Sequence, residues 1–218
     1  MARPAPTVYL LYGDDDLAAG EFVKRLRLRL GDPATADLNF LRFDAGAADL
    51  AQVEQACAAV PFLSPRRLVV LDQPSRLIAD AQRKERFLQF LSSLPPTTAL
   101  VLVEAGDLPR NSALLAWAES HPESTYVHAF DTPRGSAFVQ WVIRRCESLG
   151  GQIEGTAAQL LAEACGEDPR LAGQELSKLL DYIDRARPIV ARDVEMLTPL
   201  HGQSNVFAMV DAMGERDI

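Results

Sequence analysis

The first half of this chain contains short runs of consecutive apolar residues, separated by segments with a helical pattern. Most of these runs are apolar at every position, so they predict strands buried on both faces of a sheet. Parallel strands need crossover connections, which are usually helices. The pattern therefore predicts an α/β unit with a parallel five-stranded sheet covered by flanking helices. The expected strands are residues 8–12, 39–44, 68–71, 99–103 and 125–128.

The helices expected between these strands have recognisable signals. Asp14, Asp15 and Asp16 can cap a helix and favour its positive N-terminus. Residues 25–30 alternate charged and apolar side chains, so a strand is the alternative there. We favour a helix, because the Gly-Asp-Pro sequence that follows is a typical helix C-terminus. Further helices are expected over residues 50–59, 83–94 and 112–119.

After Asp131 the sequence contains helical patterns only. Pro133 suits the first turn of a helix that Gly150 and Gly151 close. Three further helices are expected over residues 156–165, 169–183 and 188–197, and another begins at residue 204. The predicted domains are an α/β domain over residues 1–131, a small helical domain over 132–200, and the start of a further segment over 201–218.

Composition excludes several classes of protein. Hydrophobic residues make up 48% of the chain, which is enough for a core, and the formal net charge is −8. Because duplex-binding proteins usually present a basic surface, the acidic balance argues against DNA binding by this chain alone. Neither a long apolar run nor a signal peptide is evident, so we expect a cytoplasmic protein without a membrane span. The cysteines Cys57, Cys146 and Cys165 are scattered and are expected to be small buried side chains.

Tests for catalytic chemistry give no credible centre. A phosphate loop needs Gly-Lys-Ser/Thr, and none of the three lysines, Lys24, Lys84 and Lys178, follows a glycine. Asp72 ends an apolar run as a magnesium-binding aspartate would, but such strand-end aspartates are common turn residues. The histidines lack metal-ligand spacing, and the sequence around Ser204 lacks the second glycine of a nucleophile elbow. We expect no catalytic, cofactor-binding or metal-binding residues.

One apolar turn is unusual. Pro61, Phe62 and Leu63 follow a predicted helix, and Arg66 and Arg67 then lead into the third strand. An aromatic-aliphatic pair on a loop is a typical anchor for a hydrophobic pocket on a partner. The alternative is that Phe62 and Leu63 tuck beneath the sheet edge, and spacing alone does not separate the two interpretations.

Six short motifs follow one another in a fixed order. They are Tyr12-Gly13-Asp14, Pro61-Phe62-Leu63 with Arg66-Arg67-Leu68-Val69-Val70, Gly166-Glu167-Asp168, Glu175-Leu176-Ser177-Lys178-Leu179, Asp193-Val194-Glu195, and Phe207 with Asp211-Ala212. Each motif is weak alone. The ordered set resembles the delta-subunit family of bacterial DNA polymerase III, the clamp-opening subunit of the replicative clamp loader.

This resemblance implies an AAA+-like α/β domain without a phosphate loop, a helical lid, and a C-terminal collar that the chain only begins. It implies binding to the ring-shaped sliding clamp, opening of one ring interface, and assembly with tau/gamma and delta-prime subunits through the collar. Primed DNA would be contacted only within that complex. By position, Pro61 and Phe62 match the family's clamp-binding pair, with Leu63 adjacent. Arg66 and Arg67 are candidate rim contacts to an acidic clamp surface, and the alternative is that they are solvated charges at the strand edge.

Two alternatives remain at this point. The first is an active AAA+ ATPase or P-loop kinase, which the missing Gly-Lys opposes. The second is a loader subunit of the delta-prime or tau/gamma type, which should carry a zinc-binding cysteine cluster, whereas here the cysteines are isolated.

Overall fold

The computed structural model describes residues 5–198. The chain divides into two compact units between Asp131 and Thr132. The expected helix from residue 204 and the expected final segment, residues 201–218, lie outside the described residues.

The first unit is built on a parallel five-stranded sheet, as predicted. The strand order is β2-β3-β4-β1-β5, and each neighbouring pair is parallel. Alternate residues of the three central strands enter two separate apolar clusters, one on each face of the sheet. This double burial explains why those strands are apolar at nearly every position. The strands are β1 Val8–Tyr12, β2 Phe40–Asp44, β3 Arg67–Asp72, β4 Thr98–Val103 and β5 Thr125–Ala129.

Five α-helices and one short 3₁₀ helix, Pro74–Ile78, connect these strands. The region of residues 25–30 is helical as far as Leu28, so the helical interpretation is confirmed there. The α-helices are α1 Asp16–Leu28, α2 Pro33–Leu38, α3 Leu50–Ala58, α4 Ala81–Ser92 and α5 Ala113–Ser120.

The helix α2 was not predicted. The Gly-Asp-Pro sequence was taken only as the end of α1, yet the Asp32 side chain accepts hydrogen bonds from the backbone N–H groups of Ala34 and Thr35. Asp32 therefore caps a new helix, with Pro33 at its first position. The same Asp-Pro pair stands at residues 168 and 169, where a helix was predicted to begin and does begin.

The second unit consists of four helices over its described residues. Their largest fully buried side chains are Phe138, Leu161, Leu176 and Leu179. Pro133 was expected in the first turn of the first of these helices, but that expectation is wrong: the helix begins at Ser136, after Gly135 with a positive φ of 55°. The helices are α6 Ser136–Ser148, α7 Gly155–Ala164, α8 Pro169–Tyr182 and α9 Ala191–Leu197.

The three cysteines are free and buried, as predicted. Burial raises the pKa of the Cys57 and Cys165 thiols to about 12 and that of Cys146 to about 11. These thiols therefore stay protonated and unreactive at neutral pH. Within residues 5–198, none of the helices has the length and apolar character needed to cross a membrane.

A buried carboxylate joins two segments of the second unit and makes its stability depend on pH. The Asp193 side chain accepts two hydrogen bonds from the Arg187 guanidinium, at 2.6 and 2.8 Å, and one from the Val190 N–H at 3.0 Å. Chiefly the bond from Arg187 lowers the pKa of Asp193 to about 2. Because the folded pKa lies below the unfolded value, this stabilisation is complete above about pH 4 and is lost as pH falls through about 2.

We expect protonation of Asp193 to cost about 1–2 kcal/mol, discounted because the Arg187 side chain is half exposed. Urea unfolding at pH 5 and pH 2.5 measures this loss. The Asp193→Asn variant should be less stable at pH 5 and show a flatter pH dependence. Equal pH dependence in both proteins would contradict the assignment.

Candidate functional site

At the carboxyl edge of the sheet, the backbone is closely packed around Gly13. Gly13 and Gly106 exchange two backbone hydrogen bonds of 2.9 Å, and Gly13 has a φ of 117°. A Cβ atom at Gly13 would lie 2.2 Å from the carbonyl oxygen of Phe130. The Asp15 side chain caps α1 through the Ala18 N–H, and its burial raises its pKa. Gly13 therefore serves backbone packing at this edge.

The strand-end aspartate, Asp72, also has a structural role. Its two carboxylate oxygens accept hydrogen bonds of 2.6 and 2.9 Å from the Arg42 guanidinium on the neighbouring strand. This bidentate pairing raises the pKa of Arg42 and balances the negative charge of the carboxylate. Gln73 follows in the left-handed conformation with a φ of 54°. Across residues 5–198 there is no group of three or more His, Cys, Asp or Glu side chains that could hold a metal ion.

The opposite, amino edge of the sheet carries an exposed apolar turn. We call residues 60–64, between α3 and β3, the apolar loop. Val60 is 85% exposed, Phe62 56% and Leu63 81%. Phe62 and Leu63 therefore do not tuck beneath the sheet, and Pro61 is half-buried between exposed neighbours.

This grouping distinguishes the apolar loop from other exposed apolar residues in the described chain. Leu28, Leu38, Tyr182 and Met196 are also more than half exposed, but each stands apart from the others in sequence. Single exposed apolar side chains are ordinary, whereas a contiguous group indicates a binding surface. The loop thus offers an aromatic and two aliphatic side chains within four residues.

The backbone of the apolar loop is held in place by Asn39, the residue just before β2. The Asn39 side chain is fully buried; its Oδ1 accepts from the Phe62 N–H at 2.7 Å, and its Nδ2 donates to the Phe62 carbonyl at 2.7 Å. The Ser64 hydroxyl lies 2.9 Å from the Leu30 carbonyl oxygen, to which it can donate. Leu63 has a φ of 50°, a conformation that β-carbon-bearing residues rarely adopt without external support. The loop is therefore a defined turn.

Arg66 and Arg67 hold the start of β3. One Arg66 Nη atom donates to the carbonyl oxygens of Pro6 and Thr98, both at 2.7 Å. Arg67 donates to the Ala56 carbonyl at 3.1 Å. Both side chains are half-buried, and the partners of both are backbone carbonyls of neighbouring segments.

Sequence patterns alone missed Asn39. Residues 39–44 were predicted as a strand, whereas β2 begins at Phe40 and Asn39 caps the end of α2. A polar residue directly before an apolar strand is the available signal, but its partner Phe62 lies 23 residues away in sequence. Only the parallel pairing of β2 with β3 brings the starts of both strands to one edge.

Comparison with known proteins decides the family. The family model for the DNA polymerase III delta subunit matches residues 9–130, which is more than half of the chain. The chain belongs to the DNA polymerase III delta-subunit family. The resemblance predicted from the ordered motifs is thereby confirmed.

Individual relatives agree with this assignment. The DNA polymerase III subunit delta of Bacillus subtilis is 25% identical over 217 residues, covering 96% of this chain and 61% of that protein. This chain therefore spans about three-fifths of the length of that delta subunit. The solved structure of the Bacillus subtilis DNA clamp loader delta protein (YqeN) matches with a TM-score of 0.70 and 22% identity, over 97% of this chain and 64% of that one.

More distant structures share the fold alone. The Holliday junction branch migration motor RuvB of Thermotoga maritima matches with a TM-score of 0.50 and 15% identity, over 86% of this chain and 59% of that one. Domain III of the replication initiation protein DnaA from the same species matches with a TM-score of 0.51 and 12% identity, over 88% and 83%. The predicted AAA+-like fold, a parallel sheet followed by helices, is thus confirmed.

Proposed function

We propose that this delta-family chain binds a ring-shaped replicative sliding clamp through Phe62 and opens one interface of the ring, without hydrolysing ATP itself. Membership of the DNA polymerase III delta-subunit family supports a role in loading the clamp. The main evidence for the binding site is that Phe62 and Leu63 are exposed on a loop whose backbone is fixed. Pro61 and Phe62 also stand where the family resemblance places its clamp-binding pair.

The proposed mechanism is mechanical. Phe62 enters an apolar pocket on the clamp, and Leu63 and the half-buried Pro61 cover the pocket margin. Burying a phenylalanine side chain contributes roughly 1.5–3 kcal/mol. A ligand shifts a conformational equilibrium only by its differential affinity for the two states. The loop therefore has to bind the opened ring more tightly than the closed ring. Burial of Phe62 supplies the difference in binding free energy.

Arg66 and Arg67 are proposed to act mainly by holding the start of β3, which follows the apolar loop. Their bonds to backbone carbonyls anchor the residues that directly follow the loop. A contribution of their charge to the rim of the interface remains a prediction.

The wider assembly is also a proposal. Tau/gamma and delta-prime subunits are expected to join through the C-terminal collar, whose residues are outside the described part of the chain. Primed DNA would be met only within that complex, in the cytoplasm. The acidic net charge of −8 agrees with a chain that does not bind duplex DNA unaided.

Ring opening itself can be measured. A pair of self-quenching fluorophores placed across one clamp interface reports separation of the two sides. We expect this chain to increase fluorescence at saturating concentration and the Phe62→Ala variant to leave the ring closed at the same concentration. Tight binding with no fluorescence change would contradict opening, and unchanged opening by the variant would contradict the site.

A further inference from the structure

The side-chain amide of Asn39 pairs with the backbone of the exposed Phe62 in the way that one strand pairs with another. One amide oxygen accepts the Phe62 N–H and one amide N–H reaches the Phe62 carbonyl, both at 2.7 Å. The second amide N–H donates to the Thr35 carbonyl at 2.8 Å. Both donors and the acceptor of this buried amide are therefore used, which fixes its orientation.

Asn39 is itself fixed by the main fold. Its backbone N–H bonds to the Ala36 carbonyl at the end of α2, and its carbonyl accepts from the Leu68 N–H in β3. Asn39, which holds the loop, is thus itself held by the backbone hydrogen bonding between β2 and β3. These hydrogen bonds hold the Phe62 backbone while the Phe62 side chain stays more than half exposed.

A loop that is ordered before binding keeps affinity that a mobile loop would lose. Fixing the backbone of one residue costs roughly 1–2 kcal/mol. If only a fraction of molecules holds the competent conformation, the apparent affinity falls by that fraction. Leu63 strengthens the argument, because its positive φ is disfavoured for leucine in a free loop.

We propose that Asn39 is the positioning residue of the apolar loop: it holds Phe62 in the conformation that docks on the clamp, without touching the clamp itself. This inference rests on the proposed function of Phe62. It assigns a binding role to a fully buried residue 23 positions away in sequence.

A double-mutant cycle tests the inference. Calorimetric titration of the isolated clamp ring gives both the dissociation constant and the stoichiometry for the wild-type chain, Asn39→Ala, Phe62→Ala and the double variant. We expect Asn39→Ala to weaken binding about five- to thirtyfold, the factor that corresponds to roughly 1–2 kcal/mol of backbone ordering. In the Phe62→Ala background the same change should alter the dissociation constant less than about twofold.

A matched control separates positioning from general stability. Thr98 is also fully buried, and its hydroxyl donates to the Cys57 carbonyl at 2.7 Å, whereas the bond from Arg66 goes to the Thr98 backbone carbonyl, which valine keeps. Thr98→Val should lower the urea midpoint and leave the dissociation constant unchanged. A purely structural role would make Asn39→Ala behave like Thr98→Val, with a lower urea midpoint and an unchanged dissociation constant.

The outcomes are distinct. If Asn39→Ala does not fold, Asn39→Ser shortens the side chain without burying a charge, and should still weaken binding. A folded Asn39 variant that binds like wild type, or that weakens binding equally with and without Phe62, would overturn the inference. If Phe62→Ala alone binds like wild type, the proposed function fails first and the inference fails with it.

Discussion

Replacing Phe62 with alanine should lower affinity for the sliding clamp about ten- to hundredfold, because burial of this side chain supplies roughly 1.5–3 kcal/mol. The stability of the chain itself should hardly change, since Phe62 is 56% exposed and its backbone contacts to Asn39 do not need the ring. Titration calorimetry gives the affinity and urea unfolding gives the stability.

Tyr182 provides a matched control for this experiment. It is an aromatic residue with 55% exposure at the end of α8, in the other unit of the chain. Tyr182→Ala removes a similar exposed area and should leave clamp affinity unchanged. Equal losses from both variants would point to non-specific apolar contact and would count against the loop.

Gly13→Ala should destabilise the first unit by at least about 3 kcal/mol. The new Cβ would meet the Phe130 carbonyl oxygen at 2.2 Å, and this is backbone that cannot rotate away. The Phe130 N–H is also bonded to the Tyr12 carbonyl at 2.7 Å, so the two segments cannot separate without breaking pairing at the end of β1. The φ of 117° adds strain for any residue with a side chain.

Gly20 is the natural comparison for Gly13. It lies inside α1, and a Cβ there meets no atom within 4 Å beyond its chain neighbours and the backbone of its own helix. Gly20→Ala should therefore raise stability by up to about 1 kcal/mol, since alanine is the better helix former. Urea midpoints measure both changes. A Gly13→Ala protein as stable as wild type would contradict the close packing at the carboxyl edge.

The sheet was predictable because its physical cause is local. Strands buried on both faces must be apolar throughout, and this is visible in residues 68–71 and 99–103 without knowledge of their neighbours. The helix α2 was missed because Asp32-Pro33 can both follow one helix and begin another. Pro133 was misplaced because a proline tolerates the first helical turn but does not require it.

The candidate site was only partly visible in the sequence. The composition of residues 61–63 singled out an apolar pair on a loop, but spacing could not decide whether it was exposed. That decision depends on contacts far along the chain, chiefly the bond of Ser64 to Leu30 and those of Asn39 to Phe62. Arg66 and Arg67 were predicted as surface charges or rim contacts. Their partners are backbone carbonyls, which sequence patterns do not reveal.

Site-specific cross-linking shows whether the apolar loop contacts the sliding clamp. The native cysteines are buried and have a raised thiol pKa, so a maleimide benzophenone reagent should label a new exposed cysteine selectively. Leu63→Cys places the label on the apolar loop, and Tyr182→Cys places it on the other unit. Mixed with the sliding clamp and irradiated, the chain labelled at position 63 should form a covalent adduct with the ring, and the chain labelled at 182 should not. An adduct from position 182 with none from position 63 would contradict the account.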